Sequence, residues 1–345
     1  MRDVAALADV SVGTVSNVLN NPQMVSPPTR ERVERAIAQL GFIPSAPARQ
    51  LRSGRVKVIG LVVPDIANPF FTEVARGVED AALEAGFMVI LCNSDAQATR
   101  EDRYLSVLES QRVGAILITP ARRGLQPLQR LIAHGTAVAL LDNEGATQDV
   151  CSVSVDDALG GQLAAEHLVN LGHRAIAWLA GPADIPQVAD REAGILRACR
   201  EHGIDLQRIP AEQMTTAAGY AATLAALTVG SLPSALMCAN DLLALGAMRA
   251  VREVGLAIPQ DVSIVGYDDI DFAGSAAIPL TTLRQPKYEL GAAAARLVIS
   301  EYLNPASHAH QRVRFQPQLV VRESTGRVSG DPDSLRLTTG ARSAG

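Results

Sequence analysis

Residues 3–41, DVAALADVSVGTVSNVLNNPQMVSPPTRERVERAIAQLG, predict three short helices in succession near the start of this 345-residue chain. The first covers residues 3–8, and the second follows Ser11, whose hydroxyl can accept from the free amides of a first turn. The third begins after another capping residue, Ser26, and ends at Gly41. It is expected to bury Val33, Ile37 and Leu40. Two short helices joined by a tight turn and braced by a third are typical of a helix-turn-helix domain.

The second helix carries residue types that suit the major groove of DNA. Thr14, Ser16 and Asn17 have short polar side chains that can reach phosphates or base edges. Val12 can contact a thymine methyl group, and Gly13 allows a close approach of the backbone. The same pattern also fits a small three-helix bundle with an arbitrary polar face.

Charge is distributed unevenly along the chain. Residues 1–57 hold eight basic and four acidic groups, a balance of +4, so that a total of -5 leaves -9 on the rest. A basic N-terminal module on an acidic body is typical of a polyanion-binding head. An excess of four charges is also within the range of an ordinary solvated surface.

Composition excludes several classes of protein. The chain is 48% hydrophobic and 19% charged, which is too apolar for a disordered protein. Its length indicates two or three domains. Because no stretch approaches the roughly 18 apolar residues of a membrane span and the N-terminus lacks the apolar core of a secretory signal, we expect a soluble cytoplasmic protein with no membrane partner.

The cysteines give no sign of a disulfide framework or a zinc site, because they are scattered and form no CxxC motif or Cys/His cluster in the sequence. They are Cys92, Cys151, Cys199 and Cys238. This pattern fits reduced thiols in a cytoplasm, and we expect no cofactor and no metal.

Apolar runs alternate with helical stretches from Val56 onward. The first set contains VKVIGLVV, FMVILC, GAILIT and AVALLD, and the second contains AIAWLAG, SALMC and VSIVGY. Alternating strands and helices with nearly continuous apolar strands predict parallel sheets covered on both faces. The fold class is therefore α/β, a small all-α head followed by two doubly wound lobes, and ligands of such sheets bind at the carboxyl ends of the strands.

Polar residues follow several of these strands. They are Asp142–Asn143 after AVALLD, Asn240–Asp241 after SALMC and Asp268–Asp269 after VSIVGY, while Arg191 opens a helix. An arginine fork and carboxylates suit a polyhydroxylated or anionic small ligand. Each residue alone is equally explained as a helix cap or a solvated loop residue.

The N-terminal stretch resembles the DNA-binding head and hinge of the LacI/GalR family of bacterial transcription regulators. The match is contiguous over about 50 residues and includes DVA, VSVGTVSNVLN, VSPPTRERV and GFIPSAPARQLRSGR. The resemblance implies base contacts by Ser11, Val12, Gly13, Ser16 and Asn17. It implies phosphate contacts by Thr14, Asn20 and Thr29.

Two residues depart from the family pattern in the head. Asp9 stands where the family usually has a turn glycine, and aspartate tolerates a left-handed backbone better than most residues. Asn17 replaces a commoner arginine. Because asparagine favours adenine and arginine favours guanine, this replacement would alter the base preference.

Residues 47–52, PARQLR, predict one or two helical turns that are unstable alone. By resemblance they form the hinge helix, and Leu51 is the residue that enters the minor groove and kinks the operator. A flexible interdomain linker is the alternative.

The body resembles the periplasmic-binding-protein-like effector domain of the same family, so that the match covers about residues 2–326. The pieces include VVPDIANPFF, DREAG, CANDLLALGAM and IPLTTLRQP. The resemblance implies effector-binding roles for Phe70, Phe71, Asp142, Arg191, Asn240 and Asp268. Met214 stands near the position of a common stacking aromatic residue, and Asn143 replaces a common arginine or aromatic residue, so the ligand stays open.

The expected organisation is a head over 1–44, a hinge over 45–56, an effector-binding and dimerisation domain over 57–326 and a disordered tail over 327–345. The first lobe would take 57–155 and 285–314, and the second 156–284 and 315–326. A helix from about Lys287 to Leu303 should return to the first lobe.

The expected function is that of a homodimeric repressor that binds a pseudopalindromic double-stranded operator under the control of a small effector. A solute-binding protein with the same body is the alternative, and the basic head argues against it. An enzyme is not expected, because the chain has no GxGxxG, P-loop or GxSxG motif and its histidines fall mostly on predicted helix ends or loops. These are His134, His167, His173, His202, His308 and His310.

Overall fold

The computed structural model describes residues 1–42, 56–121, 126–143, 149–230 and 232–328. The chain divides into two compact units, Met1–Val56 and Lys57–Gly345. The predicted hinge helix, with Leu51, lies outside the described residues, as do residues 329–345 of the predicted tail. Val328, which the tail was expected to include, donates its backbone N–H to Leu171 O at 3.2 Å.

The first unit contains the three predicted helices. They are α1 (Arg2–Leu7), α2 (Val12–Asn20) and α3 (Pro27–Leu40), with a single 3-10 turn at Pro22–Met24. Ser11 caps α2 by accepting from Thr14 N at 3.0 Å, as predicted. Asp9 adopts a left-handed backbone with φ of 49°, so that the turn survives without its usual glycine.

Two expectations about α3 are wrong. Ser26 precedes the helix, but its hydroxyl donates to Thr29 Oγ1 at 3.0 Å and caps no backbone amide. Leu40 is 45% exposed, because Gly41 turns the chain with φ of 56° and Phe42 packs against the head core instead. That core consists of Val4, Ala5, Ala8, Val15, Val18, Val33 and Ala36.

The second unit begins with a six-stranded sheet in which all described pairings are parallel. Its strands are β1 (Val58–Val63), β2 (Met88–Asn93), β3 (Ala115–Ile118), β4 (Ala137–Leu141), β5 (Cys151–Val155) and β11 (Arg312–Phe315), in the order β11-β5-β4-β3-β1-β2. Its helices are α4 (Pro69–Glu84), α5 (Ala98–Ser110), α6 (Gln126–Ala133) and α12 (Lys287–Leu303). We call this sheet with its helices the first lobe.

Side chains alternate between two cores in the first lobe because successive residues of a strand point to opposite faces. Leu61 packs with α4 and α12, whereas Val62 packs with α5 and α6. The predicted return of α12 to this lobe is confirmed. The edge strand β2 is the exception to the expected burial, and its Met88 is 67% exposed.

A second six-stranded sheet follows, with the order β12-β10-β9-β8-β6-β7. Its strands are β6 (Ile176–Ala180), β7 (Leu206–Pro210), β8 (Ala235–Cys238), β9 (Ser263–Asp268), β10 (Thr281–Arg284) and β12 (Gln318–Val320), of which β10 and β12 pair antiparallel. Its helices are α7 (Asp157–Asn170), α8 (Pro186–Glu201), α9 (Thr216–Thr228), α10 (Asp241–Glu253) and α11 (Asp271–Ser275). This is the second lobe, and the two predicted doubly wound lobes are confirmed.

The chain passes between the lobes three times, after β5, after β10 and after β11. The first and third passages are joined, since Asp156 N donates to Phe315 O at 2.9 Å and Arg314 Nη2 lies 2.8 Å from Asp156 Oδ1. One histidine departs from the surface role that was expected for most of them. His173 is buried between Ser234 Oγ, at 2.9 Å, and Ser263 Oγ, at 3.1 Å.

Candidate functional site

The exposed face of α2 contains most of the residues predicted to contact DNA. Ser11, Gly13, Asn17 and Asn20 are exposed, and Val12 is 42% exposed although it is apolar. An apolar side chain kept in solvent at the start of a short polar helix fits contact with a thymine methyl group. The two threonines predicted to contact phosphates, Thr14 and Thr29, are both half-buried.

Ser16 differs from the other predicted contacts. Its side chain is only 7% exposed, and it accepts from Asn20 Nδ2 at 3.3 Å, while its carbonyl accepts from the same nitrogen at 2.7 Å. Both groups are therefore used inside the head, and a base contact by Ser16 stays a prediction.

A cavity of about 570 Å³ opens at the carboxyl ends of the strands, between the two lobes. Loops after β1, β2, β3, β4, β6, β7, β8 and β9 line it, as expected for parallel α/β sheets. All six residues predicted to bind an effector line this cavity. They are Phe70, Phe71, Asp142, Arg191, Asn240 and Asp268. A volume of this size suits a small metabolite.

Arg191 is held rigidly although it is charged and only 4% exposed. Its Nε donates to Asp157 Oδ1 at 2.7 Å, its Nη1 donates to Ala239 O at 2.5 Å, and the guanidinium lies 3.6 Å from the ring centre of Tyr267. Burial disfavours the charge, but the Asp157 carboxylate and its neighbours raise the pKa of Arg191. Arg191 also lines the cavity, where a guanidinium can donate to an anionic or hydroxylated ligand.

Close helix packing positions this arginine. Gly161 in α7 lies against the backbone carbonyl of Arg191 in α8, and a Cβ there would overlap it. The absence of a side chain therefore allows the two helices to approach until Asp157 reaches Arg191.

Asp268 ends β9 in a left-handed conformation, with φ of 117°, and the following Asp269 has φ of 53°. Its Oδ1 accepts from Gln285 Nε2 at 2.7 Å, and Lys287 Nζ holds its backbone carbonyl at 3.0 Å. Burial raises the pKa of Asp268 to about 6, while the charge of Arg191 and the hydrogen bond from Gln285 oppose this rise. The carboxylate is therefore largely ionised at pH 7 and can accept ligand hydroxyls.

Asp142 directly follows β4 and also has a left-handed φ, of 50°. Gln187 Nε2 donates to its backbone carbonyl and, at 3.2 Å, to Oδ2. Burial raises the pKa of Asp142 to about 7, and the nearby Asp157 carboxylate adds to this rise. Its buried Oδ1 has no partner among the described residues, so that a ligand hydroxyl would satisfy it.

Asn240 performs the capping role that the sequence left open. Its Oδ1 accepts from Leu243 N at 2.9 Å at the start of α10, and its Nδ2 donates to Met214 O at 3.1 Å. The side chain thus holds the Met214 loop at the cavity wall. Asp241 points inward, where its Oδ1 accepts from the hydroxyl of Thr282 at 2.6 Å.

The apolar part of the cavity wall includes the edge-to-face pair Phe70 and Phe71, whose ring centres lie 4.9 Å apart. Met214 adds a flexible apolar surface on the second lobe. A wall with both apolar and hydrogen-bonding sides suits a sugar, which has C–H faces and a rim of hydroxyls.

Sequence reasoning missed several polar residues of the cavity, among them Asn68, Thr119, Gln187 and Gln285. Thr119 Oγ1 and Gln285 Oε1 are buried without a partner among the described residues, like Asp142 Oδ1. The signal for Thr119 was its position directly after the GAILI run. Gln285 gave no such signal, because it contacts Asp268 across 17 residues of chain.

Among the described residues, no helix is both long and apolar enough to cross a membrane.

Comparison with known proteins gives two family matches. Residues 1–45 match the model for bacterial regulatory proteins of the lacI family, and residues 165–325 match that for a periplasmic binding protein-like domain. The chain is 34% identical over 331 residues to the ribose operon repressor of Escherichia coli (strain K12), covering 94% of this chain and 99% of that protein.

Two solved structures extend this relation. The lac repressor dimer bound to operator and the anti-inducer ONPF has a TM-score of 0.84 at 31% identity, covering 94% of this chain and 98% of that one. A LacI family transcriptional regulator from Enterococcus faecium with bound ribose has a TM-score of 0.73 at 33% identity, covering 79% of this chain and 100% of that one. The resemblance seen in the head and body motifs is confirmed, and the chain belongs to the lacI family of bacterial regulatory proteins.

Proposed function

We propose that this chain is a transcriptional repressor that binds a pseudopalindromic operator as a homodimer and responds to a sugar-like effector. The observation that carries the proposal is the presence of two binding surfaces in one chain. A helix-turn-helix unit exposes a polar α2. A separate unit encloses a cavity in which Thr119 Oγ1, Asp142 Oδ1 and Gln285 Oε1 are buried without a partner among the described residues. A solute-binding protein would need only the second of these surfaces.

The head, over residues 1–44, reads the operator through α2. Val12 and Asn17 are exposed on this helix and contact bases, while Thr14, Asn20 and Thr29 contact phosphates. Residues 45–56 form the hinge, and Leu51 enters the minor groove between the two half-sites. Two heads related by a two-fold axis require a palindromic site.

The first lobe offers a dimer surface at β2. Met88, Ile90 and Leu91 are exposed on this edge strand, and such a run of apolar side chains in solvent indicates an interface. The related lac repressor crystallised as a dimer on its operator, which supports the same assembly here.

The effector occupies the cavity and is a sugar. Arg191 and Asp268 supply a donor fork and an acceptor, while Asp142 Oδ1 and Gln285 Oε1 are buried acceptors that await a donor. Sugar hydroxyls supply such donors in a fixed ring geometry. Bound ribose in the related Enterococcus faecium regulator supports a pentose.

Effector binding controls DNA affinity through the relative position of the lobes. The cavity walls come from both lobes, so a ligand that bridges Phe70 and Arg191 favours a closed arrangement. A ligand can shift the equilibrium only by its difference in affinity for two states. The three passages between the lobes are the segments that change as the cavity closes.

We propose no catalytic role, because the described residues that line the cavity include no nucleophile hydrogen-bonded to a base. A protein that acts on chromosomal DNA works in the cytoplasm, and we assign it there. We do not favour the alternative that the chain is a solute-binding protein without a DNA role, because that function would give the helix-turn-helix head no part.

The experiment is a selection of bound duplexes from a randomised DNA library by the purified full-length protein. We expect one enriched pseudopalindrome, which is then titrated with D-ribose and a panel of other sugars. Enrichment without a palindrome would overturn the dimer. Enrichment of no sequence, with or without sugars present, would overturn the repressor function.

A further inference from the structure

The fold gathers four potential metal ligands at a place far from the cavity. They are Cys151, Glu301, His308 and His310, and one donor atom of each lies within 4.8 Å of the others. Cys151 begins β5, Glu301 lies near the end of α12, and both histidines precede β11. Because the cavity lies at the carboxyl ends of the strands, this cluster at the start of β5 is on the opposite edge of the first sheet.

We propose that this Cys/Glu/His/His cluster is a binding site for a divalent transition metal of the Zn²⁺ class. Thiolate, imidazole and carboxylate are the ligand types that Zn²⁺ takes in proteins, and four of them close a tetrahedral site. The proposal does not rest on the function proposed above.

The distances fit such an ion. Bond lengths of about 2.3 Å to sulfur and about 2.1 Å to nitrogen, at a tetrahedral angle, separate the two donor atoms by about 3.6 Å. Cys151 Sγ lies 3.1 Å from His308 Nε2 and 3.8 Å from His310 Nδ1, on either side of this value. Small rotations of the imidazoles bring both nitrogens into place.

The surroundings orient one of the ligands. Ser300 Oγ lies 3.2 Å from His308 Nδ1, and when this nitrogen donates to the serine hydroxyl, Nε2 presents its lone pair towards the cluster. Ser300 is therefore a positioning residue. The backbone N–H of Gln311 donates to Cys151 Sγ at 3.4 Å and helps to fix the position of the sulfur.

Charge balance points in the same direction. Glu301 Oε2 is buried and has no hydrogen-bond partner among the described residues, so this oxygen is available to a metal ion. A thiolate and a carboxylate carry two negative charges, which one divalent cation neutralises while both histidines stay neutral. His310 is exposed and His308 is half-buried, which gives the ion a path from solvent.

The experiment uses untagged full-length protein, freed of metal with a chelator and titrated with Co²⁺ as a spectroscopic probe. We expect one equivalent per chain, a thiolate-to-cobalt charge-transfer band, visible bands typical of tetrahedral coordination, and displacement by Zn²⁺. Addition of Zn²⁺ should also raise the melting temperature.

Variants assign the ligands. Cys151→Ser should abolish the charge-transfer band, whereas the matched control Cys92→Ser, another buried thiol of the same sheet, should retain it. The double variant His308→Ala/His310→Ala should weaken Zn²⁺ at least about 100-fold, and Ser300→Ala about 10-fold, because loss of an outer-shell partner typically costs 10- to 100-fold. The exposed His202→Ala is the histidine control.

Absence of a one-equivalent band in the wild type would overturn the proposal, as would a band that survives in Cys151→Ser. If Cys151→Ser does not fold, the double histidine variant decides, since its side chains lie at the surface side of the cluster. Unchanged Zn²⁺ affinity in that variant would place any bound metal elsewhere.

Discussion

Gln285 Nε2 donates a hydrogen bond of 2.7 Å to Asp268 Oδ1, and this contact ties a passage between the lobes to the wall of the cavity. Gln285 lies between β10 and α12, where the chain leaves the second lobe for the first. A ligand that engages Asp268 therefore contacts a group that is already bonded to this passage. Under the function proposed above, occupancy of the cavity acts on the angle between the lobes through this contact.

Replacement Asp268→Asn should weaken binding of the effector sugar by about 10- to 100-fold, because a hydrogen bond to a charged group contributes about 1.5–3 kcal/mol. The measurement is calorimetric titration with D-ribose, or with the sugar that releases DNA in the titration above. Operator affinity without sugar should stay within about two-fold. The exposed Asp271→Asn is the control, and equal losses in both variants would contradict a role for Asp268 in the cavity.

Asp142 should make the effector-free protein less stable as pH rises. Its folded pKa of about 7 lies above the ordinary aspartate pKa of 3.8, so between these values the folded state binds more protons than the unfolded state. The stability cost of the buried charge is absent below the unfolded pKa and complete above pH 7. Asp142→Asn should therefore exceed the wild type in stability at pH 8 by a margin that shrinks towards pH 5.

Urea denaturation of both proteins at pH 5, 6, 7 and 8 measures this margin, and the difference between them cancels the contributions of other titrating groups. A constant margin across the series would show that the Asp142 carboxylate does not change its protonation in this range.

Gly161→Ala should destabilise the protein by about 1–3 kcal/mol, because the added methyl group overlaps the backbone carbonyl of Arg191 and pushes helices α7 and α8 apart. Effector binding should fall with it as Arg191 moves. Thermal unfolding and sugar titration together measure the change. Gly274→Ala in α11 is the control, since its nearest neighbour, Arg322 Nη2, is 3.7 Å from the new Cβ; a similar loss there would refute the packing argument.

Asn17→Arg should change the preferred base at its contact position from adenine to guanine, with a discrimination of about 1–3 kcal/mol. Selection from the randomised library measures the preference. Gln23→Arg adds the same charge on the exposed turn after α2, and it should raise general DNA affinity without changing the selected sequence. If both variants select the wild-type sequence, Asn17 does not read a base.

Leu91→Asp on β2 should weaken the homodimer at least about 10-fold, because a charge enters an apolar interface without a partner. Sedimentation equilibrium over a range of concentrations measures the dissociation constant. Val229→Asp changes an apolar residue just after α9 in the second lobe that is even more exposed, at 76% against 46% for Leu91, and should leave the dimer intact. The reverse result would move the interface to the second lobe.

Local patterns in the sequence are sufficient for most of the fold. The run after Ser11 predicts α2, and alternating apolar and helical stretches predict the two lobes, since strand and helix periods are properties of neighbouring residues. The residues directly after strands, such as Asp142 and Asp268, can also be predicted to line the cavity, because parallel strands end at one edge.

Contacts between residues that are far apart in the sequence cannot be predicted in this way. Cys151 and His308 are 157 residues apart, so no spacing rule for a metal site includes both. Leu40 was expected to be a core residue but is exposed, and the burial of Ser16, whose base contact stays a prediction, was not expected. Their burial depends on what packs across the head, such as Phe42 beyond the Gly41 turn.

The passage of the chain between the lobes also determines how the protein can be made. The first lobe begins at β1 but needs α12 and its last strand, β11, which ends at Phe315. All strands of the second lobe except β12 are synthesised between these parts. On the ribosome, β3, β4 and β5 therefore emerge long before α12 is available to cover them, and their apolar face must wait for a late segment of the chain. A truncated product that stops before residue 287 would expose that face permanently, so premature termination should yield aggregates rather than a half-functional regulator.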